Sequence, residues 1–281
     1  AQESRGLGDV YKRQVVYAAF GLGLVLGPIF GSIGVRFSLR GPLWLAVVFS
    51  IVNFLLIYYL FCETRIGSKE KKQGASGLIA SYRHLCRYRG VKGLLLAELF
   101  ILLGLTSMTV MWPYYAAEHF YWDASKIAYS LVVAGMAISG VQLTIAPWAH
   151  RLWGDVKSLL LSGVFFIVST VLFLWVQHPI NWYLLSLAVV CYALGWVGVS
   201  EGQTILSFRV PNDHQGELQG FISALYSLSL IITPLLMTHI FKYSIHHNLL
   251  WKESNIFVVA GLFCFLGFII YVIILPIIKE D

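Results

Sequence analysis

Phe20–Ser32, FGLGLVLGPIFGS, returns in altered form at Tyr226–Thr238, YSLSLIITPLLMT. The two stretches align without a gap at an offset of 206 residues. Pro28 falls on Pro234, Leu22 on Leu228 and Leu24 on Leu230. Gly21, Gly23 and Gly27 fall on Ser227, Ser229 and Thr233, so small residues match small ones. Gly31 on Met237 is the exception. A repeat of this kind inside apolar sequence points to a membrane protein built from two related halves.

Composition supports that class. The chain is 58% hydrophobic and 12% charged, against roughly 25% charged in soluble domains. Cys62, Cys86, Cys191 and Cys264 have no redox or metal spacing and read as free thiols. The eight histidines form no ligand pattern in sequence; His246-His247 is only a pair in a polar stretch. No metal site is expected. No nucleophile, phosphate loop or metal set appears in the polar segments, so neither an enzyme nor a cofactor is expected. Residues 1–14, AQESRGLGDVYKRQ, are polar and lack a signal-peptide core. They read as a non-native or assembly scar and are set aside.

A membrane span needs about 20 mainly apolar residues. Eight such runs are present: 15–34, 42–62, 93–115, 125–148, 158–176, 182–206, 218–241 and 255–278. They are continuously apolar, which excludes the alternation of a β-barrel. With the N-terminus placed inside, fifteen of the 20 basic residues face the cytoplasm, and Arg36, Arg40, Lys126, Lys242 and Lys252 face out. The positive-inside rule favours that orientation, with both termini cytoplasmic. The net charge of +6 then faces anionic lipid and not a nucleic acid.

The motif copies lie on the first and seventh runs, so six helices separate equivalent positions. The segment 63–92, with its KEKKQGASG linker, then divides two halves. Residues 15–62 are the last two helices of an N-terminal half, and 93–281 form a C-terminal six-helix half. Four further helices are expected upstream of residue 15, which would leave the chain alone inactive.

Two six-helix halves joined by a long basic loop resemble the major facilitator superfamily. Gly23-Leu24-Val25-Leu26-Gly27-Pro28-Ile29-Phe30-Gly31 is similar to the antiporter signature of its drug/proton antiporters. Arg209-Val-Pro-Asn-Asp-His-Gln215-Gly216-Glu217-Leu218-Gln219-Gly220 is similar to a cytoplasmic loop of tetracycline-resistance efflux transporters. Gly140-Val141-Gln142 also resembles that group. The resemblance implies an all-α, major facilitator type fold, with eight transmembrane helices present of twelve. It implies a secondary active transporter, a drug (tetracycline-like)/proton antiporter working by alternating access, with lipid, small molecule and protons as partners and a monomeric state. The alternatives are a uniporter or symporter for a small metabolite, or a non-transporting membrane scaffold.

Site residues follow from both sources. Gly23, Gly27 and Gly31 form a small-residue stripe that admits close helix packing. Pro28 bends the same helix. Together they read as a gate. Pro211 is expected to end the sixth run, with Asn212 or Asp213 capping the next helix and Glu217 near its positive end. Trp153-Gly154-Asp155-Val156-Lys157 reads as a tight cytoplasmic turn. Glu98 and Glu201 are the acids inside spans, at matching depth, and are the candidates for proton or cation exchange. Gln142, Asn53, Trp196 and Gln203 are the candidate substrate contacts. Trp112 and Tyr114 lie near the outer end of the third run, where an aromatic belt is the default.

Overall fold

The computed structural model describes residues 41–60, 78–176, 181–247 and 254–279, and scattered positions within 19–40. Residues 1–14, Pro28 and the stretch 61–77, which holds Cys62 and the first part of the segment 63–92, lie outside the described residues.

The described positions between 19 and 37 are helical. Then come α1 (Gly41–Leu60), the short α2 (Leu78–Leu85), α3 (Val91–Phe120) and α4 (Ala124–Gly140). A π-turn, Val141–Ile145, joins α4 to α5 (Ala146–Trp175). Next are α6 (Trp182–Gly195), α7 (Val197–Arg209), a 3-10 turn (Asn212–His214), α8 (Gln215–His246) and α9 (Asn255–Lys279). Among the described residues six continuous helical runs are long and apolar enough to cross a membrane. One of these, Ala124–Trp175, has 52 residues, about 78 Å at 1.5 Å per residue. That is enough for two crossings.

The break between those two crossings differs from expectation. The sequence suggests a polar connection between 148 and 158, yet the helix continues to Trp153. Only Gly154 leaves helical geometry, at φ 73 and ψ 172. That combination is open essentially to glycine alone, so one residue turns the chain. Another correction concerns α8. Its N-cap position is His214, with no side-chain cap, and not Asn212 or Asp213. Val210 is extended before Pro211, as the proline ring demands of its predecessor, and the 3-10 turn fills the gap.

The core forms where α3 packs along α9 and α8, α5 along α6, α7 and α9. Small residues set the α3–α9 distance. A Cβ on Gly104 would collide with Cys264, and one on Gly267 with Ile101 and the Ala97 carbonyl. Thr106 Oγ1 meets Thr233 Oγ1 at 2.9 Å, joining α3 to α8. The helix α1 differs: of its residues only Gly41 is buried. Cys86, Cys191 and Cys264 are free thiols, as expected.

Candidate functional site: two buried carboxylates on opposite faces of one helix

Residues 201 and 203 are two apart on α7, about 200° around a helix. They therefore face opposite neighbours. Glu201 turns towards α5 and Gln203 towards α3. Glu98 and Glu201 are each fully buried. Glu98 lies about 11 Å along α3 from Val91, and Glu201 about 12 Å from Arg209 on α7, at 1.5 Å per residue.

Glu98 is held by neutral donors. Gln203 Nε2 donates to Glu98 Oε1 at 3.3 Å. Tyr271 Oη donates from α9 to Glu98 Oε2 at 3.2 Å. Gly202 makes the room, since a Cβ there would meet the Tyr271 hydroxyl and Glu98 Oε2. Two sequence candidates, Glu98 and Gln203, are thus brought together, and Gln203 serves the carboxylate.

Glu201 has a different partner. His150 Nδ1 lies 3.2 Å from Glu201 Oε2 and 2.7 Å from Asp155 Oδ1. His150 and Asp155 flank the Gly154 break, so the turn that reverses the chain also delivers them to α7. Glu201 Oε1 has no hydrogen-bond partner among the described residues. Sequence reasoning missed His150, Asp155 and Tyr271. Their only signal was position near a helix end or within a span, and their partners are distant in sequence.

The other candidates separate. Gln142 is fully buried on the π-turn, and its Nε2 donates to the Trp196 carbonyl at 3.1 Å. Its Oε1 has no partner among the described residues. Trp196 is itself buried, because Gly195 and Gly198 let α6 and α7 press against Phe166 and Ser162 of α5. It is a packing residue at that crossing. Asn53 lies on the exposed surface of α1, apart from the other candidates. The stripe of Gly23, Gly27 and Gly31 has nothing within 4 Å of where a Cβ would stand. The close helix contact expected there is therefore absent among the described residues. The later copy behaves otherwise: Ser229, Thr233 and Met237 are buried, with Thr233 bonded to Thr106.

The loop motif is resolved into parts. Gln215 Nε2 donates to the Ser207 and Val210 carbonyls, both at 2.7 Å. It thereby caps the C-terminal end of α7. Gly216, Gln219 and Gly220 lie on an exposed face of α8. Arg209 closes the last turn of α7.

At the opposite end of the bundle lies a cavity of about 780 Å³ between α3, α4, α5, α6 and α9. Trp112, Phe120, Trp122, Tyr129, Phe173 and Tyr192 form most of its aromatic wall. Trp112 Nε1 donates to Ser130 Oγ at 2.8 Å. Its volume falls within the usual range for small-molecule sites, about 300–1,000 Å³. Gln142, Asn53, Trp196 and Gln203 are not part of its lining. Trp112, expected in an aromatic belt, is.

Residues 15–234 and, in an overlapping match, 94–281 match the Major Facilitator Superfamily. The chain belongs to that family. It is 27% identical over 238 residues to the class C tetracycline resistance protein of Escherichia coli, covering 81% of this chain and 57% of that one. It is 28% identical over 247 residues to the class H protein of Pasteurella multocida, covering 84% and 60%. The chain thus spans about three-fifths of the length of these curated relatives. The crystal structure of the human organic anion transporter TETRAN superposes with a TM-score of 0.73 at 17% identity, over 94% of this chain and 64% of that one. That likeness concerns the fold. The all-α, multi-pass integral membrane reading holds.

Proposed function

We propose that the protein is a secondary active transporter that exports small, tetracycline-like molecules in exchange for protons by alternating access. It is a carrier and not an enzyme. It acts as a monomer in a plasma or bacterial inner membrane, with the face that carries the basic segment in the cytoplasm. The observation that carries this reading is the pair of fully buried carboxylates, Glu201 on one face of α7 and Glu98 of α3 against the opposite face. Ionisable groups at membrane depth are costly and are kept where an ion or proton moves. Asp155 and Glu201 share the Nδ1 atom of His150, which sets a titratable imidazole beside the buried acid at the turn around Gly154. The names of the relatives support the substrate class. The aromatic cavity gives a planar molecule a surface to stack on.

The test uses the full-length protein in vesicles with an imposed pH gradient. Tetracycline uptake is expected to follow the gradient. Glu98→Gln and Glu201→Gln are expected to lose at least tenfold of that gradient-driven uptake while retaining substrate counterflow, which needs no net proton movement. Uptake that ignores the gradient sinks the antiport reading.

A further inference from the structure

Histidine spacing gives no ligand pattern, but folding makes one on the face that carries the basic segment. His84 lies on α2, His214 ends the 3-10 turn, and Glu217 is in the first turn of α8. His84 Nδ1 is 2.7 Å from Glu217 Oε2, and His214 Nδ1 is 3.5 Å from the same oxygen. One donor atom from each residue lies within 4.8 Å of the others. The two imidazole centroids are 4.4 Å apart. Tyr82 stacks on Phe221 at 5.7 Å, so α2 is seated against α8 independently of the histidines.

We propose that His84, His214 and Glu217 form a Zn²⁺ site that ties α2 to the first turn of α8. Two imidazoles and a carboxylate are the donor set of an open tetrahedral zinc site. Bonds of about 2.0–2.1 Å place tetrahedral donors roughly 3.3–3.4 Å apart. The His214–Glu217 edge is already near that length. The His84–Glu217 edge must widen by roughly 0.6 Å to reach the same tetrahedral spacing. His84 is 32% exposed, His214 37% and Glu217 20%. That exposure gives an ion a way in and leaves the fourth position to water. Arg83, Arg87 and Arg89 sit in the same segment. Their charge opposes hard cations such as Mg²⁺ and Ca²⁺, which depend on oxygen ligands. Imidazole donors select a borderline ion in spite of it. The other cluster, His150, Asp155 and Glu201, is less accessible, and its third member is fully buried. Zinc at the first site holds the latter part of the inter-half segment 63–92 against α8 and restricts its motion.

The test titrates Zn²⁺ into the full chain in detergent, purified without a histidine tag, against a chromophoric chelator. One zinc per chain is expected. His84→Asn and His214→Asn are each expected to weaken it by more than about tenfold, since loss of an outer-shell partner alone costs about 10–100-fold. The pair His246→Asn with His247→Asn is expected to change nothing, and excess Mg²⁺ is expected not to compete. Zinc is also expected to shield Arg83, Arg87 and Arg89 from trypsin in the wild type but not in His84→Asn. Glu217→Gln, which keeps a hydrogen-bonding amide in place, serves if a histidine variant does not fold. No uptake by the wild type, or uptake unchanged in His84→Asn and His214→Asn, overturns the site.

Discussion

Glu98 and Glu201 are equally buried, yet their surroundings make different demands. The partners of Glu98 are an amide and a phenol, which can bond a carboxylate or a carboxylic acid. Glu201 faces an imidazole that can pair with its carboxylate. Removing the imidazole therefore strands a buried charge, which costs several kcal/mol unless the acid takes up a proton. Asp155 and Glu201 hold the His150 imidazole charged, raising its pKa to about 10. We expect His150→Ala to lower the thermal midpoint more near pH 7 than above about pH 10, where the neutral imidazole has already lost that stabilisation. An equal loss at both pH values would show that the imidazole acts by packing alone. Gly202 is the companion case. Its missing Cβ is the space that Tyr271 and Glu98 occupy. Gly202→Ala should destabilise by about 1–3 kcal/mol through overpacking, read as a lower unfolding midpoint in detergent. The larger space-filling need at Trp112 runs the other way. Trp112→Ala opens the aromatic wall of the cavity and should raise KM for substrate more than it lowers kcat.

Two connections decide how the elements meet. Gly154 turns the chain between two crossings with a backbone conformation that a side chain resists. Gly154→Ala should cost about 1–3 kcal/mol, and it should also loosen His150 and Asp155 from Glu201. Gln215 closes the end of α7 through two carbonyls. Gln215→Ala should cost about 1–2 kcal/mol for the lost bonds, with hydrogen exchange rising first in the last turn of α7. A thermal melt and an exchange profile check both. These elements also show what sequence could reveal. Long apolar runs and Pro211 mark the helices, because desolvation and the proline ring act locally. Glu98, Glu201 and Gln203 stand out because polar residues are rare in spans. What joins them is not legible. Tyr271 reaches Glu98 across 173 residues, and His84 reaches Glu217 across 133. No local spacing encodes such a contact. The Gly23 stripe has no close neighbour among the described residues; a stripe of small residues allows an approach but does not name the helix that makes it.

At the scale of the molecule, the repeat compares two helices, and the charge distribution alone bears on the proposed orientation. The later copy presents Ser229, Thr233 and Met237 to the core, where Thr106 of α3 meets Thr233. Around Gly23, Gly27 and Gly31 of the earlier copy, nothing among the described residues lies within 4 Å of where a Cβ would stand. The copies have thus kept a common periodicity while their small residues meet different surroundings. Orientation rests on the basic residues, and these collect on one face because lysine and arginine resist transfer across the bilayer during insertion. His84, His150, Asp155 and Glu217 gather on that same face, whereas His246 and His247 lie at the far end of α8. The expected topology can be read with thiols. In a Cys86→Ser background, Arg87→Cys should react with a membrane-impermeant maleimide only after the cells are permeabilised. His247→Cys should react in intact cells. Both positions are exposed on the protein, so failure to label reports the membrane and not burial. The reverse pattern would place the basic face outside. It would also put Glu201, with Asp155 and His150, on the wrong side for the proposed exchange of protons with the cytoplasm.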